Sequence, residues 1–296
     1  MARRLVLIGH YPPPVILEEE QSLLEAMIAL DQRGVRHAVV VDKRGCLSGV
    51  LSIRRMLGEV LDGYERSDLA ERLYSTQVRD VMRKDVPRLV IGEFGVEDVV
   101  DAMARMNIGA VVVTDPNGCV LGIISEKHVA GVMALSSINA AVHEIMSRPV
   151  HSLGLRDKVI DALRLMVRYR HRHAPVVDEE QRIEAIVSAR DLLATLAAEE
   201  SLELIKRGEL DKVFGIEVLR IAVGAPATIE PEADISTALR IMRRRGVSAL
   251  PVIDKNYRVI GIVTERDLVV KLPKLMGVEM FYDLARSRLY IARVVS

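Results

Sequence analysis

The chain has 296 residues, half of them hydrophobic and 28% charged, and 41 Lys+Arg balance 41 Asp+Glu to a formal net charge of zero. Such a length holds about two ordinary domains, and the neutral balance argues against a large electrostatic nucleic-acid footprint. Two cysteines, Cys46 and Cys119, exclude a disulfide framework and a cysteine-built zinc centre, while 3% aromatic residues without Trp leave little for base stacking.

The N-terminus, MARRLVLIGHYPPP, carries a five-residue apolar run that three prolines end, too short for a signal-peptide core. No apolar stretch nears the roughly 20 residues that span a bilayer, so no membrane span is expected, and with two cysteines a reducing cytoplasm is the expected location. Of the 41 basic residues only 9 are Lys, so positive charge comes mostly as planar forks suited to carboxylate and phosphate, or to surface ion pairs.

Internal periodicity decides the organisation. Ala26–Arg55, Val99–His128, Ala162–Asp191 and Ala238–Asp267 align without a gap, each 30 residues long. Each opens on an apolar helical stripe, carries an aspartate 16 positions on (Asp42, Asp115, Asp178, Asp254) and a hydroxyl 26 positions on (Ser52, Ser125, Ser188, Thr264). Equivalent aspartates are 73, 63 and 76 residues apart, so the spacing is fixed inside units while the linkers vary.

In chain order, Val15–Leu17 is a candidate lead-in strand, followed by the first repeat. A short segment, Val78–Met82, and a lead-in at Arg88–Val90 precede the second, where Ala110–Val113, a turn at Asp115–Gly118 and Val120–Ile124 form a strand pair before the cap Ser125. Val142–Met146 and Val150–Leu153 precede the third, and Leu192–Lys212 reads as a helix plus connector. Gly215–Leu219 and Ala227–Ile229 precede the fourth. There Ile235, Ala238, Leu239 and Met242 make an amphipathic helix that Gly246 ends. Strands Ala249–Ile253 and Val259–Val263 follow, and Thr264 caps the next helix. The resulting units are 1–72, 73–135, 136–200 and 201–275, with an amphipathic extension at 276–296.

The segments Val247–Asp254 and Gly261–Asp267, with the parallel set His173–Asp178 and Ser188–Asp191, resemble the cystathionine β-synthase (CBS) domain. The resemblance covers nearly the whole chain. It implies a mixed α/β (α+β) protein of four tandem β-α-β-β-α units, paired into two pseudo-two-fold modules, repeat one with two and three with four. It also implies clefts that hold adenine nucleotides, AMP, ADP or ATP.

In that family the aspartate of the G-h-x-S/T-x-x-D segment holds ribose, which suits an ionised carboxylate that accepts from two hydroxyls at once. Asp191 and Asp267 occupy that position; Arg55 and His128 replace it in the first two repeats. Ser188-x-x-Asp191 and Thr264-x-x-Asp267 are equally capping boxes, and the two roles are compatible. Basic residues before the first core strand contact phosphate in related proteins, which here points to Arg172 and His173, with Arg36 and His37 as a possible anion site in the first half. One implied site joins Arg172, His173, Ser188 and Asp191 to Thr228, Val247, Ser248 and Ala249; the other joins Thr264 and Asp267 to Ser152, His171 and His173, with Arg190 and Arg266 as helpers.

The expected function is regulatory: nucleotide in the cleft between repeats three and four alters module packing and so controls a partner protein, with a homodimer formed through the modules. S-adenosylmethionine or methylthioadenosine is an alternative ligand, and a nucleotide-independent scaffold an alternative role. Four units of about 60 residues leave little chain for a catalytic domain, and no phosphate loop, metal cluster or triad stands out, so neither an enzyme nor a catalytic cofactor or metal is expected.

Overall fold

A computed structural model describes residues 8–134, 136 and 138–294, with side chains as far as Arg286. Every repeat builds a small sheet. In the first, β1 (Ile16–Glu18) runs parallel to β2 (His37–Val41), which pairs antiparallel with β3 (Leu47–Ser52). The second repeats that order with β4 (Arg88–Val90), β5 (Ala110–Thr114) and β6 (Val120–Ser125). The third has β7 (Leu153–Gly154), β8 (His173–Val177) and β9 (Ile183–Ser188), with β10 (Val223–Gly224) added on the far edge of β9. The fourth has β11 (Ala249–Ile253) and β12 (Val259–Thr264); its lead-in shrinks to one parallel bridge between Ile229 and Val252.

The gapless alignment reappears as a common register. His37 faces Ser52, Ala110 faces Ser125, His173 faces Ser188 and Ala249 faces Thr264, and all four ladders slip by one residue before the turn. The repeated aspartates explain the turn. Asp42 Oδ1 accepts from the Arg44 and Cys46 amides, Asp115 from Cys119, Asp178 from Glu180 and Arg182, and Asp254 from Asn256 and Arg258, at 2.8–3.0 Å. A carboxylate accepting its own turn's amides is a local scaffold, and the Cys46 amide bond, ahead of that from Arg44, holds the Asp42 carboxyl below the usual range.

The helices determine which repeats pack together. Among the described residues, one compact unit comprises 13–86 and 151–226, and the other 8–12, 87–150 and 227–294 without 135 and 137. In the first, helices Leu23–Gln32 and Ile53–Arg66 of repeat one lie against Val159–Tyr169 and Ala189–Ala197 of repeat three. Their shared core includes Met27, Leu30, Met56 and Leu57 from one side and Leu163, Met166, Leu192 and Leu193 from the other. In the second, repeats two and four share a core through Val99, Met103, Val129, Leu239, Met242 and Leu268. The helix Val278–Val294 joins it with Phe281, Tyr282 and Ala285, which gives the C-terminal extension a packing role. The compact units therefore unite the helices of alternate repeats, a choice that four similar amphipathic stripes do not encode.

The segments that precede the repeats are exchanged, each pairing inside one of these units. His10, ahead of repeat one, bridges to Ile123 of repeat two, and Arg83, ahead of repeat two, bridges to Val50 of repeat one. Ser147, ahead of repeat three, bridges to Ile262 of repeat four, while Val223, ahead of repeat four, pairs with Ile186 of repeat three. The crossings leave little room for a side chain. A Cβ on Gly49 would lie 2.6 Å from the Arg83 carbonyl oxygen, and one on Gly261 would lie 2.3 Å from Met146 Sδ.

Candidate functional site

The strand register brings the repeat-three candidates together. His173 opens β8 opposite Ser188, which closes β9 and caps the helix Ala189–Ala197. The Arg172 carbonyl accepts the Ala189 amide at 2.9 Å, so Arg172 and His173 sit beside that helix N-terminus. Asp191 completes a capping box: its Oδ2 accepts the Ser188 amide at 2.7 Å, and its own amide donates to Ser188 Oγ at 3.4 Å. Its Oδ1 has no protein donor among the described residues. Arg190 is exposed alongside. One end of this unit thus gathers two basic residues, an Arg at its rim, the positive end of a helix and a carboxylate with one oxygen to give, a set suited to an anion linked to a diol.

Asp267 is placed alike in the fold but is surrounded differently. It is 5% exposed. Oδ2 accepts the Thr264 amide at 2.8 Å and the Thr264 hydroxyl at 2.7 Å; Oδ1 accepts the Ser147 hydroxyl at 2.9 Å and lies 2.7 Å from Lys271 Nζ. Lys271 also donates to the Ile145 carbonyl and to Ser147. Arg266 is likewise committed, to Glu126 at 2.9 Å and to Asn107.

The remaining candidates divide between the units. Ser152 and His171 lie in the unit of Asp191, whereas Thr228, Val247, Ser248 and Ala249 lie in that of Asp267. Ser248 is buried and its carbonyl accepts the Glu265 amide at 3.1 Å. The sequence reading missed His151 and Tyr169: their rings stack with centroids 3.5 Å apart, and His151 Nδ1 lies 3.1 Å from His171 Nε2. The run Arg168–His173 signalled this cluster, but nothing local signalled His151.

In the first two repeats the aspartate position is filled by other chemistry. His128 imitates the carboxylate, its Nδ1 accepting the Ser125 amide at 2.9 Å while its ring meets that of His10 edge to face. Arg55 turns to the exchanged segment and donates to the Val81 carbonyl. Arg36 and His37 hold the same places as Arg172 and His173, with the Arg36 carbonyl accepting the Ile53 amide. Among the described residues no helix is long and apolar enough to cross a membrane, and no group of three or more His, Cys, Asp or Glu could hold a metal ion.

The CBS domain model matches residues 8–62, 78–135, 142–198 and 220–274. An uncharacterized 33.4 kDa protein in the ribosomal RNA operon of Thermofilum pendens is 30% identical over 294 residues, 97% of each chain. The crystal structure of protein MJ1225 from Methanocaldococcus jannaschii, described as a proposed archaeal homologue of g-AMPK, is similar with a TM-score of 0.79 at 20% identity, covering 90% of this chain and 99% of that one. An uncharacterized conserved protein from Pyrococcus horikoshii is similar with a TM-score of 0.56 at 21% identity, covering 79% and 89%. At these identities the two structures speak to the fold.

Proposed function

Since the chain belongs to the CBS domain family, we propose that it is a regulatory protein that binds an adenine nucleotide, AMP, ADP or ATP, and transmits occupancy to a partner protein through the packing of its repeats. The observation that carries this reading is Asp191, a carboxylate fixed by its capping box whose second oxygen has no donor among the described residues, beside Arg172 and His173 at a helix N-terminus. The fixed oxygen positions the group; the other accepts ribose hydroxyls. Arg172 offers a fork for phosphate and His173 a donor that strengthens as pH falls.

Binding alters packing only if the ligand prefers one of two arrangements, and each compact unit joins two repeats through a single helical core. The reading places the protein in the cytoplasm, without catalytic activity, and acting as a homodimer. Calorimetric titration with AMP, ADP, ATP, S-adenosylmethionine and methylthioadenosine tests it. Binding of any phosphorylated adenosine, weakened by Arg172→Ala, supports it; heat with the sulfonium or thioether nucleosides alone moves the ligand to that class, and no heat at millimolar concentration of any of them overturns it.

A further inference from the structure

Asp191 and Asp267 are equivalent by repeat, by register and by capping box, yet their second oxygens differ. Asp267 Oδ1 is taken by Ser147 and Lys271, groups 120 residues upstream and one helical turn downstream. Ser147 belongs to the segment exchanged onto β12 and bridges to Ile262. The residue at the same place on β9 is Val223, which pairs with Ile186 and has no hydrogen-bonding side chain. Lys271 corresponds to Thr195, whose hydroxyl is spent on the Asp191 backbone carbonyl at 2.8 Å.

Repeat one corroborates the role. There Arg55, at the aspartate position, donates to the carbonyl of Val81, two residues before the bridging Arg83. In repeat four the same carbonyl, that of Ile145 two residues before the bridging Ser147, accepts from Lys271. Each uses a cation from the closing helix to tie down the exchanged segment, and in repeat four Asp267 holds that cation in place.

We infer that Asp267, Lys271 and Ser147 form a strut that fastens the exchanged segment and fills the acceptor a ribose diol would need, so that the chain takes one nucleotide, at Asp191, with Lys271 and Ser147 setting that number. The nucleotide count rests on the proposed function; the strut does not. A buried carboxylate with four donors has no lone-pair direction left for a further pair of hydroxyls, and removing one partner of such a pair is costly.

Two measurements separate the parts. Without ligand, thermal unfolding of Asp267→Asn and Asp191→Asn full-length protein is compared. The strut predicts a Tm drop on the order of 5 °C for the first and a drop under about 2 °C for the second; equal drops overturn the strut, and do so even if no nucleotide binds. With AMP or ATP, calorimetry should give one nucleotide per chain, a loss of affinity of about tenfold or more in Asp191→Asn, and a stoichiometry rising toward two in Ser147→Val with Lys271→Thr, the repeat-three residues. Two nucleotides per chain in the unaltered protein, one lost with each aspartate, overturn the count, whereas no binding at all overturns the proposed function.

Discussion

The Arg266 guanidinium lies 2.9 Å from the Glu126 carboxylate, whose side chain is 1% exposed, and so a buried ion pair joins the closing helices of repeats two and four. At the position of Glu126 the other compact unit has Ile53 and Ala189, both buried and apolar. A buried carboxylate is tolerated only with its partner, since the desolvation cost persists when the attraction is removed.

Arg266→Ala is therefore expected to destabilise the unit of repeats two and four by roughly 3 kcal/mol, the lower end for buried pairs because Arg266 is itself 28% exposed. Adding Glu126→Ile, the residue of repeat one, should recover much of that loss. Urea unfolding of the single and double variants checks this; a double variant no more stable than Arg266→Ala would refute the ion-pair account.

The C-terminal helix is pinned by Tyr282, whose hydroxyl donates to Asp101 Oδ1 at 2.7 Å. Burial, then that hydrogen bond and the charges of Asp101 and Glu97, raise the phenol well above its ordinary value of 10.0. The neutral form is thus favoured by folding, so its contribution is complete below pH 10 and is lost as pH rises beyond it. Unfolding followed from pH 8 to 11 should show a decline that is smaller in Tyr282→Phe. An identical slope in both proteins would remove Tyr282 from the explanation.

At the proposed nucleotide site, Asp191→Ala should weaken binding by one or two charge-assisted hydrogen bonds, about 1.5–3 kcal/mol each. Arg172→Ala should reduce affinity for ATP more than for adenosine, because its fork addresses phosphate. Equal losses for both ligands, measured by calorimetry, would take phosphate away from Arg172.

The glycines beneath the exchanged segments should differ in tolerance. Gly49→Ala sets a methyl 2.6 Å from the Arg83 backbone oxygen and is expected to cost about 1–3 kcal/mol. Gly261→Ala meets the thioether of Met146, a flexible side chain that can move, and should cost less. Chemical denaturation ranks the two, and the reverse order would contradict the crossing geometry.

Most of the local structure was legible because it is local. The helix Ile235–Arg245, its Gly246 cap with φ of 67°, and the strands around Asp254 follow from side-chain period, turn residues and capping within a dozen positions. The lead-ins were less so: of Val150–Leu153 only Leu153 enters a strand, the two-residue Leu153–Gly154, and Ala227–Ile229 yields a single bridge, since a lead-in is stabilised by the strand it meets rather than by its own sequence. The repeated aspartates were legible as markers, while their work in holding the turn amides needed the backbone path.

By itself the sequence determined four copies of one unit, with the same register, the same turn and the same helix start, because those depend on residues at fixed short spacing. Only the tertiary structure decided which copies share a core and which of two equal aspartates keeps an oxygen to offer. Ser147 and Lys271 occupy the second oxygen of Asp267, and among the described residues nothing occupies that of Asp191. That distinction rests on a segment brought from 120 residues away, and no periodicity in the chain records what it will meet there.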